Sequence, residues 1–180
     1  IHTGVFTNMK LKASQENSGV RFIRTDLQGL PEIKAEVANV FKTERSTSLK
    51  QGKAEIHTVE HILSAIAGNE IDNVIIEVDN LEVPILDGSA MEFSKKIIEA
   101  GTTKQQSERK YLKITKETSL YDDESESKIV ISPSDKYEIE VIIDYNSKTL
   151  GTQSANLNHL SDFNKEIASS RTFCFMHELD

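Results

Sequence analysis

His57-Thr58-Val59-Glu60-His61 sets a carboxylate beside an imidazole at the start of a segment with helical periodicity. Val59, Ile62, Leu63 and Ile66 recur at i, i+3, i+4 and i+7, which predicts an amphipathic helix. Thr58 is its expected N-cap and Gly68 its expected stop. Glu60 and His61 fall in the first turn, off the apolar stripe, beside the small residues Ser64, Ala65, Ala67 and Gly68. That side leaves room for a ligand, and the first turn favours both a carboxylate and the neutral imidazole that metals require. The same pair also reads as a glutamate satisfying the helix dipole and a surface histidine. Ala65 stands four residues after His61, so the HExxH arrangement is absent. Catalytic zinc takes three protein ligands, and His2, His57, His159 and His177 stand at no ligand spacing from His61.

The elements around this pair read as strands. Val5–Leu11, Val20–Thr25 and Ala35–Phe41 carry β-branched and aromatic residues near alternate positions, and Arg45–Leu49 and Ala54–His57 flank a Lys50-Gln51-Gly52-Lys53 hairpin turn. Val74–Val78 reads as a central strand covered on both faces. A second helix is expected from Ser89 to Ala100, with Ser89 and Glu92 as a capping box and Gly101 as its end. Residues 102–108 lack an apolar side chain and mark a linker between a first domain, 1–101, and the start of a second, 109–180. In the second, strands are expected at Tyr111–Lys116, Lys128–Ser132 and Tyr137–Asp144, an acidic turn at Asp122–Ser127, and a short helix at Leu160–Ala168. The pattern is α+β, a two-layer sandwich of sheet and helices.

Composition narrows the function classes. Twenty-nine acidic against 21 basic residues give a net charge of −8, which argues against a nucleic-acid footprint. Apolar runs are too short for a transmembrane segment. The single cysteine, Cys174, suits a reducing compartment. The opening at Ile1 without methionine and the close on Phe-Met-His-Glu-Leu-Asp read as the ends of a piece of a longer chain.

Several blocks in register resemble the UDP-3-O-acyl-N-acetylglucosamine deacetylase family, the zinc amidases of early lipid A synthesis in Gram-negative bacteria. They are His57–Gly68, Ile71–Val78, Glu82–Ala90, the opening Ile1-His2-Thr3-Gly4, and Ser170-Arg171-Thr172-Phe173 with Phe175-Met176. The resemblance implies two α+β domains of similar topology, the second incomplete here, and a cytoplasmic hydrolase. It matches His61 to a zinc ligand, Glu60 to the carboxylate that activates the metal-bound water, and Thr172 to the hydroxyl that stabilises the oxyanion. It matches Asp144 and Tyr145 to the uridine contacts, and Phe173, Phe175 and Met176 to the acyl-chain entrance. Asp87 is read as fixing the turn before the second helix. The implied reaction releases acetate from an acylated UDP-N-acetylglucosamine, a substrate whose acyl chain allows contact with the inner membrane surface. The family's other two zinc ligands and its general-acid histidine match no position here and are expected downstream of Asp180, so the 180 residues alone are expected to be inactive. Asn146-Ser147-Lys148 replaces the His-Pro that often follows the uridine aromatic. A relative that binds a nucleotide sugar without catalysis is the second reading; oligomeric state has no signal.

Overall fold

A computed structural model describes residues 3–174. The chain divides into two compact units: residues up to Ser107 together with those from Phe163 onward, and the stretch Glu108–Asp162 between them. The first crossing falls between Ser107 and Glu108. Residues from Phe163, assigned by sequence to the second domain, group with the first unit.

The first unit holds a four-stranded sheet in the order β1-β7-β2-β3, built from Met9–Ala13 (β1), Val20–Arg24 (β2), Glu32–Lys34 (β3) and Val74–Val78 (β7). β7 lies inside the sheet, antiparallel to β1 and parallel to β2, with Ile76 opposite both Leu11 and Phe22. Its side chains alternate: Val74, Ile76 and Val78 are buried, whereas Ile75 and Glu77 are half-buried. One face of this strand therefore carries the core, where continuous apolarity predicted two. Side chains lock the ladder ends. The Asn8 amide N–H and side chain donate to Asp79 at 2.7 Å each, and the Gly19 N–H donates to Asn73 Oδ1 at 2.9 Å.

A second sheet is the antiparallel meander Val40–Lys42 (β4), Ser48–Gln51 (β5) and Ala54–Ile56 (β6). Gly52, at φ 61°, opens the two-residue turn between β5 and β6, the position that type II′ hairpins give to glycine. The helices are Glu60–Gly68 (α1) and Met91–Ala100 (α2), packed on each other. Val59, Ile62 and Ile66 from the first and Phe93 and Ile97 from the second join Phe22, Ile33 and Ile76 as buried core residues.

α1 does not start as its sequence suggests, and α2 does so only in part. Val59 is the N-cap of α1 without a side-chain bond, and the Thr58 hydroxyl is committed to Glu82. α2 is preceded by Ala90, and Ser89 Oγ accepts from the Met91 N–H at 3.1 Å, the bond expected of the cap, while donating to Asp87 Oδ1 at 2.7 Å; the Glu92 half of the capping box is lost, because Glu92 pairs with Lys95. Gly101, at φ 76°, ends α2 as expected. Ala65 and Gly68 are buried, correcting the small-residue ligand face, and only Ala67 of that set is exposed.

Gly68 is buried because the Phe163 ring lies on it. A Cβ built at Gly68 would stand 2.1 Å from Phe163 Cδ1. Phe163 opens a short helix, Phe163–Glu166 (α3), and is itself 4% exposed. Asn69 completes the joint: its side chain donates to the Ala65 carbonyl at 2.7 Å and to Ser94 Oγ at 3.0 Å, and accepts from Asn164 at 2.9 Å.

The second unit is two antiparallel hairpins, Thr118–Asp122 (β8) with Ser127–Ile131 (β9), and Ile139–Asp144 (β10) with Thr152–Leu157 (β11). β8 and β11 were not expected from sequence, and the expected strand at 111–116 forms no ladder. The architecture is α+β. No helix among the described residues is long and apolar enough to cross a membrane.

Candidate functional site

The chain leaves β6 at Ile56 and enters α1 at Glu60, and the residues between determine where the Glu60–His61 pair stands. His57 runs parallel to the 81–83 loop, donating its N–H to the Leu81 carbonyl at 2.9 Å and accepting from the Val83 N–H at 3.1 Å. Thr58 then takes φ 60°, a left-handed conformation that a β-branched residue rarely enters, and Val59 returns to helical geometry. Thr47, just before β5, clamps Val59 and Glu60. Its carbonyl accepts from the Val59 N–H at 3.2 Å, and its own N–H donates to Glu60 Oε2 at 2.9 Å.

That clamp leaves Glu60 Oε1 4.0 Å from His61 Nε2. The distance exceeds a hydrogen bond and suits a bridging water. The side chains differ in access, 37% exposed for Glu60 and 14% for His61. A solvent-reachable carboxylate, backed by a backbone donor and beside a sheltered imidazole, can accept a proton while the imidazole offers a lone pair to an electrophile.

Thr172 is placed independently. Its N–H donates to the Gly88 carbonyl at 2.9 Å, and a Cβ at Gly88 would lie 3.6 Å from Thr172 Cγ2. Gly88, at φ 82°, is the centre of a turn tied by Asp87, whose Oδ1 accepts from the Ser89 N–H at 3.1 Å as well as from its hydroxyl. The Ser89 hydroxyl bond is the main cause that holds the Asp87 carboxyl below the ordinary aspartate range, and Arg171 at 3.4 Å adds to it. This matches the turn-fixing reading of Asp87.

Asp144 and Tyr145 sit at the end of β10 in the second unit. Asp144 is exposed and its Oδ1 accepts from the Asn146 N–H at 2.9 Å; Tyr145 is half-buried and donates its N–H to the Gly151 carbonyl at 3.2 Å. Phe173 is 56% exposed. Met176, with His2, Phe175 and His177, lies outside the described residues.

His57 faces the meander. Its Nδ1 lies 2.9 Å from Ser48 Oγ, its Nε2 lies 3.6 Å from Glu55 Oε1, and its ring meets Phe41 edge-on. Among the described residues no group of three His, Cys, Asp or Glu side chains could hold a metal ion. The described donor set thus provides His61 with Glu60 beside it, which is less than a catalytic zinc site takes.

Sequence reasoning missed Glu82. This carboxylate is 2% exposed and accepts from Thr58 and Thr3. Its only signal was its place before Val83-Pro84, an apolar context unusual for an acid.

An α+β chain with an acid–imidazole pair at the head of a helix fits a family of hydrolases. The family model for UDP-3-O-acyl N-acetylglycosamine deacetylase (LpxC) matches residues 1–180, and the chain belongs to that family. Among curated relatives, it is 40% identical over 179 residues to the bifunctional enzyme LpxC/FabZ of Porphyromonas gingivalis, covering 99% of this chain and 39% of that protein. The protein of the same name from Chlorobaculum tepidum is 35% identical, and that from Bacteroides thetaiotaomicron 33%; each match covers 100% of this chain and 39% of the relative. The chain thus spans about two-fifths of the length of these relatives.

Proposed function

We propose that this chain is the Glu60-bearing part of a zinc-dependent deacetylase of lipid A synthesis, which hydrolyses the N-acetyl group of UDP-3-O-acyl-N-acetylglucosamine. The observation that carries the reading is the Glu60–His61 pair at the head of α1, a clamped carboxylate beside a sheltered imidazole, in a chain whose whole length matches the deacetylase family.

In this reading Glu60 Oε1 takes a proton from water as the water oxygen attacks the acetamide carbonyl. The Thr172 hydroxyl donates to the oxygen that gains charge. When the C–N bond breaks, acetate leaves, and the proton held by Glu60 is available to the departing amine. Asp144 and Tyr145 would accept the uracil N–H and stack on the ring, and Phe173 with Met176 would meet the acyl chain. His61 is proposed as one zinc ligand. Because the described residues do not complete a metal site, no step is assigned to the metal. The proposed setting is the cytoplasm, with the acylated substrate as the partner.

Glu60→Ala in the natural protein that contains this chain tests the assignment. Loss of a general base predicts a fall in kcat of about a hundredfold or more. Turnover equal to wild type would remove Glu60 from the chemistry, and a wild-type protein inert toward the acylated UDP-sugar would overturn the reading.

A further inference from the structure

A carboxylate withdrawn from water persists where hydrogen bonds replace its hydration. Glu82 is such a group, 2% exposed, in the loop between β7 and α2. Bonds from two distant segments among the described residues reach it. The Thr58 hydroxyl donates to Oε1 at 2.9 Å, while the Thr3 N–H and hydroxyl donate to Oε2 at 2.9 and 2.6 Å. The Thr58 bond has a second effect, because Thr58 stands at φ 60° one residue before the cap of α1. A threonine does not hold that conformation on local preference. Glu82 supplies the reason it stays there.

The geometry points to Glu82 as the positioning residue of the candidate site. By holding Thr58 left-handed, it sets the direction in which α1 leaves β6, and with it the stations of Glu60 and His61. The proposal rests on Glu60 being the base. The effect is passed on through Thr47, which binds both the Val59 N–H and the Glu60 carboxylate. The Thr3 bonds bring the residues ahead of β1 under the same carboxylate. A glutamate that served stability alone would change the folded fraction and leave the turnover of folded molecules intact.

The test uses Glu82→Gln in the natural protein. Glutamine has one acceptor oxygen and no charge, so with that oxygen on the two Thr3 donors the charge-assisted bond from Thr58 gives way to a neutral one from the amide N–H to a reversed hydroxyl, and the constraint on Thr58 weakens. Misplacement of a base on the ångström scale lowers rate by up to about a hundredfold. The expected result is a fall in kcat of about tenfold or more, KM within about threefold, and faster hydrogen exchange in peptides covering Thr47 but not in those covering β2 and β7. Thr58→Val, which keeps the branched shape without the hydroxyl, should reproduce it. Thr58→Gly added to Glu82→Gln should recover most of the lost kcat, because glycine occupies φ 60° unaided.

Unchanged kcat and unchanged Thr47 exchange in Glu82→Gln would overturn the proposal, as would a loss that Thr58→Gly leaves in place. If Glu82→Gln does not fold, Thr58→Val decides, and wild-type kcat there overturns it equally. A wild-type protein without turnover refutes the reading of Glu60 instead, and Thr47 exchange still reports whether Glu82 holds the segment.

Discussion

Gly68→Ala is a substitution whose sign ordinary helix chemistry gets wrong. In a solvent-facing helix it would stabilise by up to about 1 kcal/mol, since alanine has less backbone freedom to lose. Here the new methyl would stand 2.1, 2.3 and 2.4 Å from Cδ1, Cγ and Cε1 of Phe163. Carbon atoms rest about 3.5–4.0 Å apart, so the ring or the helix backbone must retreat by about 1.5 Å. The ring is 4% exposed, and a buried ring in a close-packed joint does not give way by that much without displacing its neighbours. Contacts this short against a buried ring place the overpacking cost in the upper part of its usual range, about 2–3 kcal/mol, and subtracting a helix gain of about 1 kcal/mol leaves a net loss of about 1–2 kcal/mol. Thermal denaturation of the natural protein should register this as a drop of about 2–8 °C. Gly68→Ala combined with Phe163→Leu should show a coupling of about 1 kcal/mol or more, because the smaller side chain relieves the clash. A Gly68→Ala protein as stable as wild type or more so would refute the contact, and additivity in the pair would refute its partner.

Three further outcomes are expected. His61→Ala should lower the zinc content of the purified natural protein, measured by atomic absorption against wild type; undiminished binding would remove His61 from the ligand set. Gly88→Ala meets an ordinary 3.6 Å contact with Thr172 but must hold φ 82°, so conformational strain alone should cost about 1–2 kcal/mol in chemical denaturation. Asp87 has its pKa lowered in the fold, so its contribution is complete above the unfolded carboxylate range and is lost as pH falls through the lowered value. Asp87→Asn should therefore flatten the acid limb of the stability–pH curve and leave the slope near neutrality unchanged; an unaltered acid limb would show that the Ser89 and Arg171 contacts carry no linkage.

The periodic elements were legible in the sequence. The stripe of Val59, Ile62 and Ile66, the alternation of β10 and the Gly101 stop depend on neighbours within one or two turns, and each stands where its pattern put it. What failed depended on partners far along the chain. Thr58 has the chemistry of an N-cap, but a carboxylate 24 residues on takes its hydroxyl. A local competitor took half of the capping box: Ser89 Oγ still accepts from the Met91 N–H, but Glu92 turns to Lys95 three residues on. β11, Thr-Gln-Ser-Ala-Asn-Leu, has almost no apolar alternation and exists because β10 supplies a ladder. Tyr111–Lys116 shows the reverse, alternation without a ladder. For the site, the adjacency of Glu60 and His61 was readable; the Thr47 clamp and the Gly88 seat of Thr172 were not, because neither has a local signature, and the burial of Glu82 showed only in the apolar residues that follow it.

The order of β1-β7-β2-β3 also has a consequence in time. On a ribosome adding about 5–20 residues per second, β7 emerges several seconds after β1 and β2, although it is the strand that joins them. Until then β1 has no neighbour, and β2 has only the short β3 beside it. The two hairpins of the second unit need no such wait, since neighbouring strands zip within microseconds of being made. The nascent chain therefore carries two of its sheet strands with open edges through much of the synthesis of the first unit. That interval leaves the backbone donors and acceptors of β1, and of one side of β2, open to mispairing.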